Sequence, residues 1–91
     1  MEISHDPAKE ARNIAERGLS FEWVARFDFR TALFWIDKRR DYGEVRYSGL
    51  GRVDGRVHAL VFIETPVGIR VISFRKANKR EVQHYEQASG S

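Results

Sequence analysis

The residues best suited to chemistry lie in one stretch near the end of the chain. It reads Arg70-Val-Ile-Ser-Phe-Arg75-Lys76-Ala-Asn-Lys79-Arg80-Glu81 and reaches Tyr85 four residues on. Alternation along a strand puts Arg70 on one face with Ile72 and Phe74. Arg75, Lys76 and Arg80 gather where strand gives way to helix, and a helix N-terminus already attracts phosphate. Glu81 and Tyr85, four apart, stand one above the other on that helix. Cations, a carboxylate and a phenol around one phosphate are the parts that metal-free RNA cleavage uses. The 2′-hydroxyl attacks the neighbouring phosphorus, a base takes its proton, an acid protonates the leaving oxygen, and cations hold the developing charge. The same residues also admit a structural role, with Glu81 capping the helix, Tyr85 packed on the sheet and the cations solvated.

Other chemistries find little support. The three histidines, His5, His58 and His84, have no metal-ligand spacing, so no metal and no cofactor is expected. Gly49-x-Gly51 lacks the third glycine and the following helix of a phosphate loop. Its glycines are read as marking a bulge or the close approach of another chain segment. Ser73 sits in a strand without a nucleophile elbow. There is no cysteine, which removes thiolate sites and disulfides and fits a reducing, cytoplasmic setting.

The elements that must position the basic stretch follow from periodicity and punctuation. Residues 2–5 read as a short edge strand. Asp6-Pro7 opens a helix with apolar stripe Ala8, Ala11, Ile14 and Ala15, stopped by Gly18. Ser20 caps a second, short helix that buries Phe21, Val24 and Phe27, with Leu19 and Val24 placed as a hydrophobic staple. Thr31 to Ile36 reads as strand and Lys38 to Gly43 as a charged loop. Glu44–Val53 and Arg56–Glu64 flank Asp54-Gly55, a two-residue hairpin turn. That turn sets Tyr47 opposite Phe62, Gly49 opposite Leu60 and His58 opposite Gly51. Arg56–Glu64 is apolar on both faces and should be central. Thr65 to Gly68 turns the chain into the strand Ile69–Phe74. Asn78 and Glu81 form a capping box for a helix to about Ala88. The expected fold is α+β, an antiparallel sheet meander with two N-terminal helices and one C-terminal helix, the helices largely on one face.

Length and charge agree with that plan. Ninety-one residues suit one domain, 1–91, and 42% hydrophobic content excludes disorder as the main state. The longest apolar run, Ala59 to Ile63, is far too short to span a membrane. No basic segment followed by an apolar run opens the chain, so no secretory leader is expected. The net charge is +3, with 16 Lys and Arg against 13 Asp and Glu. Lys38-Arg39-Arg40 and the 75–80 segment are the densest basic stretches, suited to a polyanion or simply solvated.

Over most of its length the chain resembles the BrnT family of ribonuclease toxins. The resemblance begins with Ile3-Ser-His-Asp6-Pro-Ala-Lys9 and Asn13. It continues through Gly18-Leu-Ser-Phe21-Glu22, Asp41-Tyr-Gly-Glu44-x-Arg46, Gly51 and Gly55-Arg56. It closes with Ile69-Arg70-Val-Ile-Ser73-x-Arg75-x-Ala77-x-x-x-Glu81-x-x-x-Tyr85, the most specific part. The resemblance implies a RelE-like fold and an endoribonuclease that blocks translation. It implies a BrnA-like antitoxin partner with a ribbon-helix-helix domain, and operator DNA reached only through that antitoxin. Carried over by position, it places Lys9, Arg46, Arg70, Arg75, Glu81 and Tyr85 in RNA work. Arg70 and Arg75 are then expected as phosphate clamps, Glu81 or Tyr85 as proton carriers, and Lys76 and Arg80 as further RNA contacts. Two departures stand out: Glu16-Arg17-Gly18 replaces the family's common Lys-His-Gly, and His5 replaces an opening Trp. The competing reading is a non-catalytic interaction module, or an inactivated toxin acting only within an operator-binding complex. Lys9 and Arg46 could equally serve local ion pairs. His58 is expected as a packed strand residue, and Trp23 and Trp35 as core or partner-contact aromatics before base-stacking platforms. Phe34 to Ile36 could leave an apolar edge for the antitoxin to cover.

Overall fold

The hairpin around Asp54-Gly55 organises the sheet. In the computed structural model, which describes residues 1–90, both turn residues have positive φ, 51° and 83°, as a type I′ turn requires. The turn locks strand β3 (Tyr47–Val53) against β4 (Arg56–Thr65), with Tyr47 opposite Phe62, Gly49 opposite Leu60 and Gly51 opposite His58. β4 runs on through a turn into β5 (Gly68–Lys76), and β2 (Leu33–Ile36) pairs with the outer side of β3. β1 (Glu2–His5) completes a five-stranded sheet of order β1-β5-β4-β3-β2, so β4 is central as its two apolar faces demand.

The expectation of a purely antiparallel sheet needs correction. β1 lies parallel to β5, Ser4 beside Arg70, and the sheet is mixed. Hairpin turns set the direction of β3, β4 and β5. β1 reaches its partner from the far end of the chain, where no turn constrains it. Two strands also start later than expected: Thr31 and Ala32 lie outside β2, and Glu44 to Arg46 outside β3.

Helices cover both faces rather than one. The first face carries helix α1 (Pro7–Arg17) at its rim and a 3-10 helix (Phe21–Arg26) where a second α-helix was expected. Six residues closed by an i to i+3 bond from Phe27 N–H to Val24 C=O favour the tighter coil. Phe21, Val24 and Phe27, with Leu19, pack on Leu60, Phe62, Ile69, Val71 and Phe74 to form the main core. The close approach marked by the glycines is aromatic. The Phe27 ring lies so near Gly51, and the Phe34 ring so near Gly49, that a Cβ at either site would collide with it. On the second face, α2 (Lys79–Ser89) buries Tyr85 and Val82 against Leu50, Val57 and Ala59.

α1 is turned away from its expected orientation. Ala8, Ala11, Ile14 and Ala15 face solvent, and Asn13 is the buried residue. Asn13 donates from one amide group to the carbonyls of Leu19 (2.8 Å) and Phe74 (2.9 Å), and Glu10 accepts from Ser20 Oγ (2.8 Å). These bonds fix the helix rotation, because three alanines offer little apolar area to outweigh them. Among the described residues, no helix is long and apolar enough to cross a membrane.

Candidate active site

A single extra residue in β5 decides which side chains share the second face. β4 and β5 pair in regular register from His58–Lys76 to Val61–Ser73, and then Phe62 pairs with Val71. Ile72 is the bulged residue, and it shifts the alternation by one. Ile69, Val71 and Phe74 therefore all enter the main core, while Arg70, Ser73 and Arg75 emerge on the opposite face. Arg70 thus shares a face with Arg75, not with Phe74. An odd spacing of five residues would separate Arg70 from Arg75 in a regular strand; the bulge unites them.

The second face is covered by α2 only near Leu50, Val57 and Ala59. Beyond that lies an open cleft of two adjoining hollows of about 400 and 420 Å³, whose floor includes Ala59, Val61 and Arg75. The 38–43 loop folds over the cleft through Asp37, at the end of β2. Asp37 is buried and accepts from Arg39 Nε (2.9 Å), Arg39 Nη2 (2.7 Å), the Arg39 amide (3.1 Å) and the Tyr42 hydroxyl (3.2 Å). The Tyr42 ring lies between two cations, Arg46 at 4.1 Å and Arg40 at 5.3 Å from its centroid. Arg46 also bonds Glu44 through Nε at 3.0 Å. Four guanidinium groups, Arg39, Arg40, Arg46 and Arg75, thus line one concavity against two carboxylates, Asp37 and Glu81.

Arg75 and Glu81 meet directly. Arg75 Nη1 and Nη2 donate to the two Glu81 carboxylate oxygens at 2.7 and 2.9 Å, a bidentate fork. The capping box holds Glu81 from the other side. Its carboxylate accepts the Asn78 amide at 2.9 Å, and its own amide donates to the Asn78 side chain at 2.8 Å. The fork holds the Glu81 carboxyl below its usual range and raises Arg75. Hydrogen bonds from Arg39 likewise hold the Asp37 carboxyl well below the usual carboxylate range. Both acids are acceptors only at neutral pH.

The other expected site residues are spread around this cleft. Arg70 is exposed on the same face, beside Ile63 and Ser4, nearer the β1 edge. Lys76 is exposed at the end of β5 in a shallow hollow with Arg17 and Arg75. Arg80 projects from the first turn of α2 into a hollow shared with Trp35 and His84. Lys9 lies on α1, in a groove with Arg12 and Arg17 that meets the cleft at Ile72 and Ser73. Tyr85 does not join them. It is 2% exposed, its hydroxyl donates to the Thr31 carbonyl at 3.3 Å, and it packs with Leu50 and Val57. Its surroundings are those of a side chain packed between helix and sheet. Sequence reasoning did not single out Asp37 or Tyr42, and treated Arg39 and Arg40 only as charge density. The signal was present in Lys38-Arg39-Arg40 and in Tyr42 and Arg46, but no periodicity says where such a loop folds.

Both carboxylates titrate lower when folded, so their stabilising contribution is complete above about pH 5 and is lost progressively below about pH 4. Thermal melts from pH 7 to pH 3 will show Tm falling on the acid side. Asp37→Asn will lower Tm at neutral pH and flatten that acid limb, because the variant has no depressed carboxyl to protonate at this position.

A family described as "Ribonuclease toxin, BrnT, of type II toxin-antitoxin system" matches residues 5–81. The matched span contains the whole cleft and ends at Glu81. No curated protein matches the chain.

Proposed function

The chain belongs to the BrnT family of ribonuclease toxins of type II toxin–antitoxin systems, and from that membership we propose that its arginine-lined cleft is the site of RNA cleavage. The observation that carries this reading is the Arg75–Glu81 fork on the cleft wall, with Arg39, Arg40 and Arg46 around it. A scissile phosphate entering the cleft competes with Glu81 for the Arg75 fork, and guanidinium groups match phosphate oxygens in pairs. Release of the fork leaves Glu81 ionised and able to take the proton of the 2′-hydroxyl. That oxygen attacks the phosphorus, the bond to the 5′-oxygen breaks, and a 2′,3′-cyclic phosphate remains. The Tyr42 hydroxyl is the phenol lining the cleft and is assigned the proton for the leaving 5′-oxygen. The pentavalent charge falls on Arg75 and Arg39, so the step needs no metal. Arg70, Lys76, Arg80 and Lys9 hold the flanking phosphates.

The whole chain acts as one RelE-like domain in the cytoplasm, where cleavage blocks translation. Its antitoxin is of the ribbon-helix-helix class and brings the pair to operator DNA. It covers the exposed apolar surface of Phe34 and Ile36 on the β2 edge. The test is to incubate the purified chain with single-stranded RNA in excess EDTA. Cleavage is expected to persist, to leave 2′,3′-cyclic phosphate ends and to stop when the scissile ribose is 2′-deoxy. No cleavage by a folded chain overturns the enzymatic reading in favour of an interaction module. Loss on chelation, or 3′-hydroxyl ends, overturns the mechanism.

A further inference from the structure

Trp35 sits where an apolar hollow adjoins the arginine cleft. On edge strand β2 it pairs with Ser48, and its side chain lines the second face, while Phe34 turns to the first face against Phe29 and Phe62. Trp35 is 44% exposed and belongs to neither core cluster. The other exposed indole and the tyrosine of the cleft already carry a cation: Arg26 lies 4.6 Å over Trp23, and Arg46 and Arg40 lie over Tyr42 at 4.1 and 5.3 Å. No cation lies over Trp35 among the described residues. His84 approaches it edge-on, ring planes at 86° and centroids 6.5 Å apart.

The hollow is about 290 Å³ and is walled by Trp35, Leu50, Arg80, Glu81 and His84. Three of these, Trp35, Leu50 and Glu81, also line the cleft that holds Arg75, so the two spaces are continuous. Along that path the charge alternates with apolar surface: Arg75 and Arg39 on one side of the indole, Arg80 on the other. Single-stranded RNA offers the complementary series of phosphate, base and phosphate, and an unpaired base stacks on an aromatic ring whatever its sequence.

We propose that this hollow is a subsite for one unpaired nucleobase, stacked on Trp35, with its flanking phosphates held by Arg75 and Arg80. The subsite rests on the reading of the cleft as an RNA site and would restrict that cleft to single strands. In a duplex the base would be paired and unable to reach the indole.

The probes are a six-nucleotide 2′-O-methyl oligoadenylate, which cannot be cleaved by 2′-hydroxyl attack, and the same backbone with every base removed. Trp23→Phe leaves Trp35 as the sole indole, and the oligoadenylate is expected to quench its fluorescence while the abasic strand does not. Trp35→Ala should weaken oligoadenylate binding about tenfold, the loss of one stacked base, and leave abasic binding unchanged. Trp35→Phe should recover most of the affinity, which separates a missing ring from a damaged fold. Equal weakening on both strands, or no quenching with binding intact, overturns the base subsite and leaves the RNA reading standing. No binding of either strand at low salt overturns the RNA reading itself. If Trp35→Ala binds both strands normally but escapes neutralisation by the co-expressed antitoxin, the surface is a protein interface instead.

Discussion

Replacing Arg75 by alanine will reduce RNA cleavage by roughly 10²–10³-fold, the usual loss when one donor to a developing oxyanion is removed. Arg75 is the residue for which geometry and proposed chemistry coincide most closely. It lies near the end of the last strand, β5, is aimed into the cleft by the bulge at Ile72, and is aligned by both oxygens of Glu81. Its removal leaves the start of α2 intact, because Glu81 still accepts from the Asn78 amide and Asn78 still caps the helix. The Arg75–Glu81 pair is partly exposed, so its own contribution to stability is small. The variant should therefore melt close to the parent while losing kcat. Arg75→Lys should recover only part of the rate, since an ammonium supplies charge without the fork. An Arg75→Ala chain that cleaves like the parent would move the site away from the strand–helix junction.

Much of this arrangement was legible in local residue patterns. Asp54-Gly55 fixed the β3–β4 register to the residue, because a two-residue turn leaves no freedom in pairing. Asn78 and Glu81 announced the start of α2, and the two apolar faces of β4 announced its central place. What stayed hidden depends on contacts between distant segments. The direction of β1 is set by a partner more than sixty residues away. The rotation of α1 is set by Asn13 reaching the Phe74 carbonyl, a single polar side chain prevailing over an alanine stripe. The bulge left one trace, the odd step from Val71 to Phe74 between apolar residues, which a strict alternation overlooks. The clasp of Asp37 on Arg39 and Tyr42 brings the basic loop to the cleft, and charge density alone could not say so.

These contacts also give the resting cleft a particular character. Three of its four arginines are already engaged by carboxylates, Arg39 by Asp37, Arg46 by Glu44 and Arg75 by Glu81. Phosphate must therefore exchange into pre-aligned forks rather than organise loose side chains. Pre-alignment lowers the ordering cost of binding, and competition from the carboxylates raises the charge a ligand needs. A polyanion that meets several arginines together satisfies that requirement, whereas a single weak anion does not.

The scaffold behind the site should fail in a different way from the site. Phe74→Ala will destabilise the chain by about 3–5 kcal/mol, the range for truncating a buried phenylalanine. Phe74 is fully buried, pairs with Leu60, stacks against the His58 ring at 5.2 Å, and its carbonyl anchors Asn13. A domain of this size holds only about 5–15 kcal/mol in total, so one such cavity removes a large share of it. Urea titration should show a much lower midpoint with an unchanged slope, and Phe74→Leu should lose less than about 1.5 kcal/mol by keeping most of the volume. Phe74 and Arg75 are adjacent but point to opposite faces of β5. Below its melting range the folded fraction of Phe74→Ala should therefore cleave RNA at the parent rate. Arg75→Ala gives the inverse pattern, a stable chain without activity. If Phe74→Ala instead loses turnover while folded, the two faces of β5 are coupled through Ile72, and the bulge transmits core packing to the cleft.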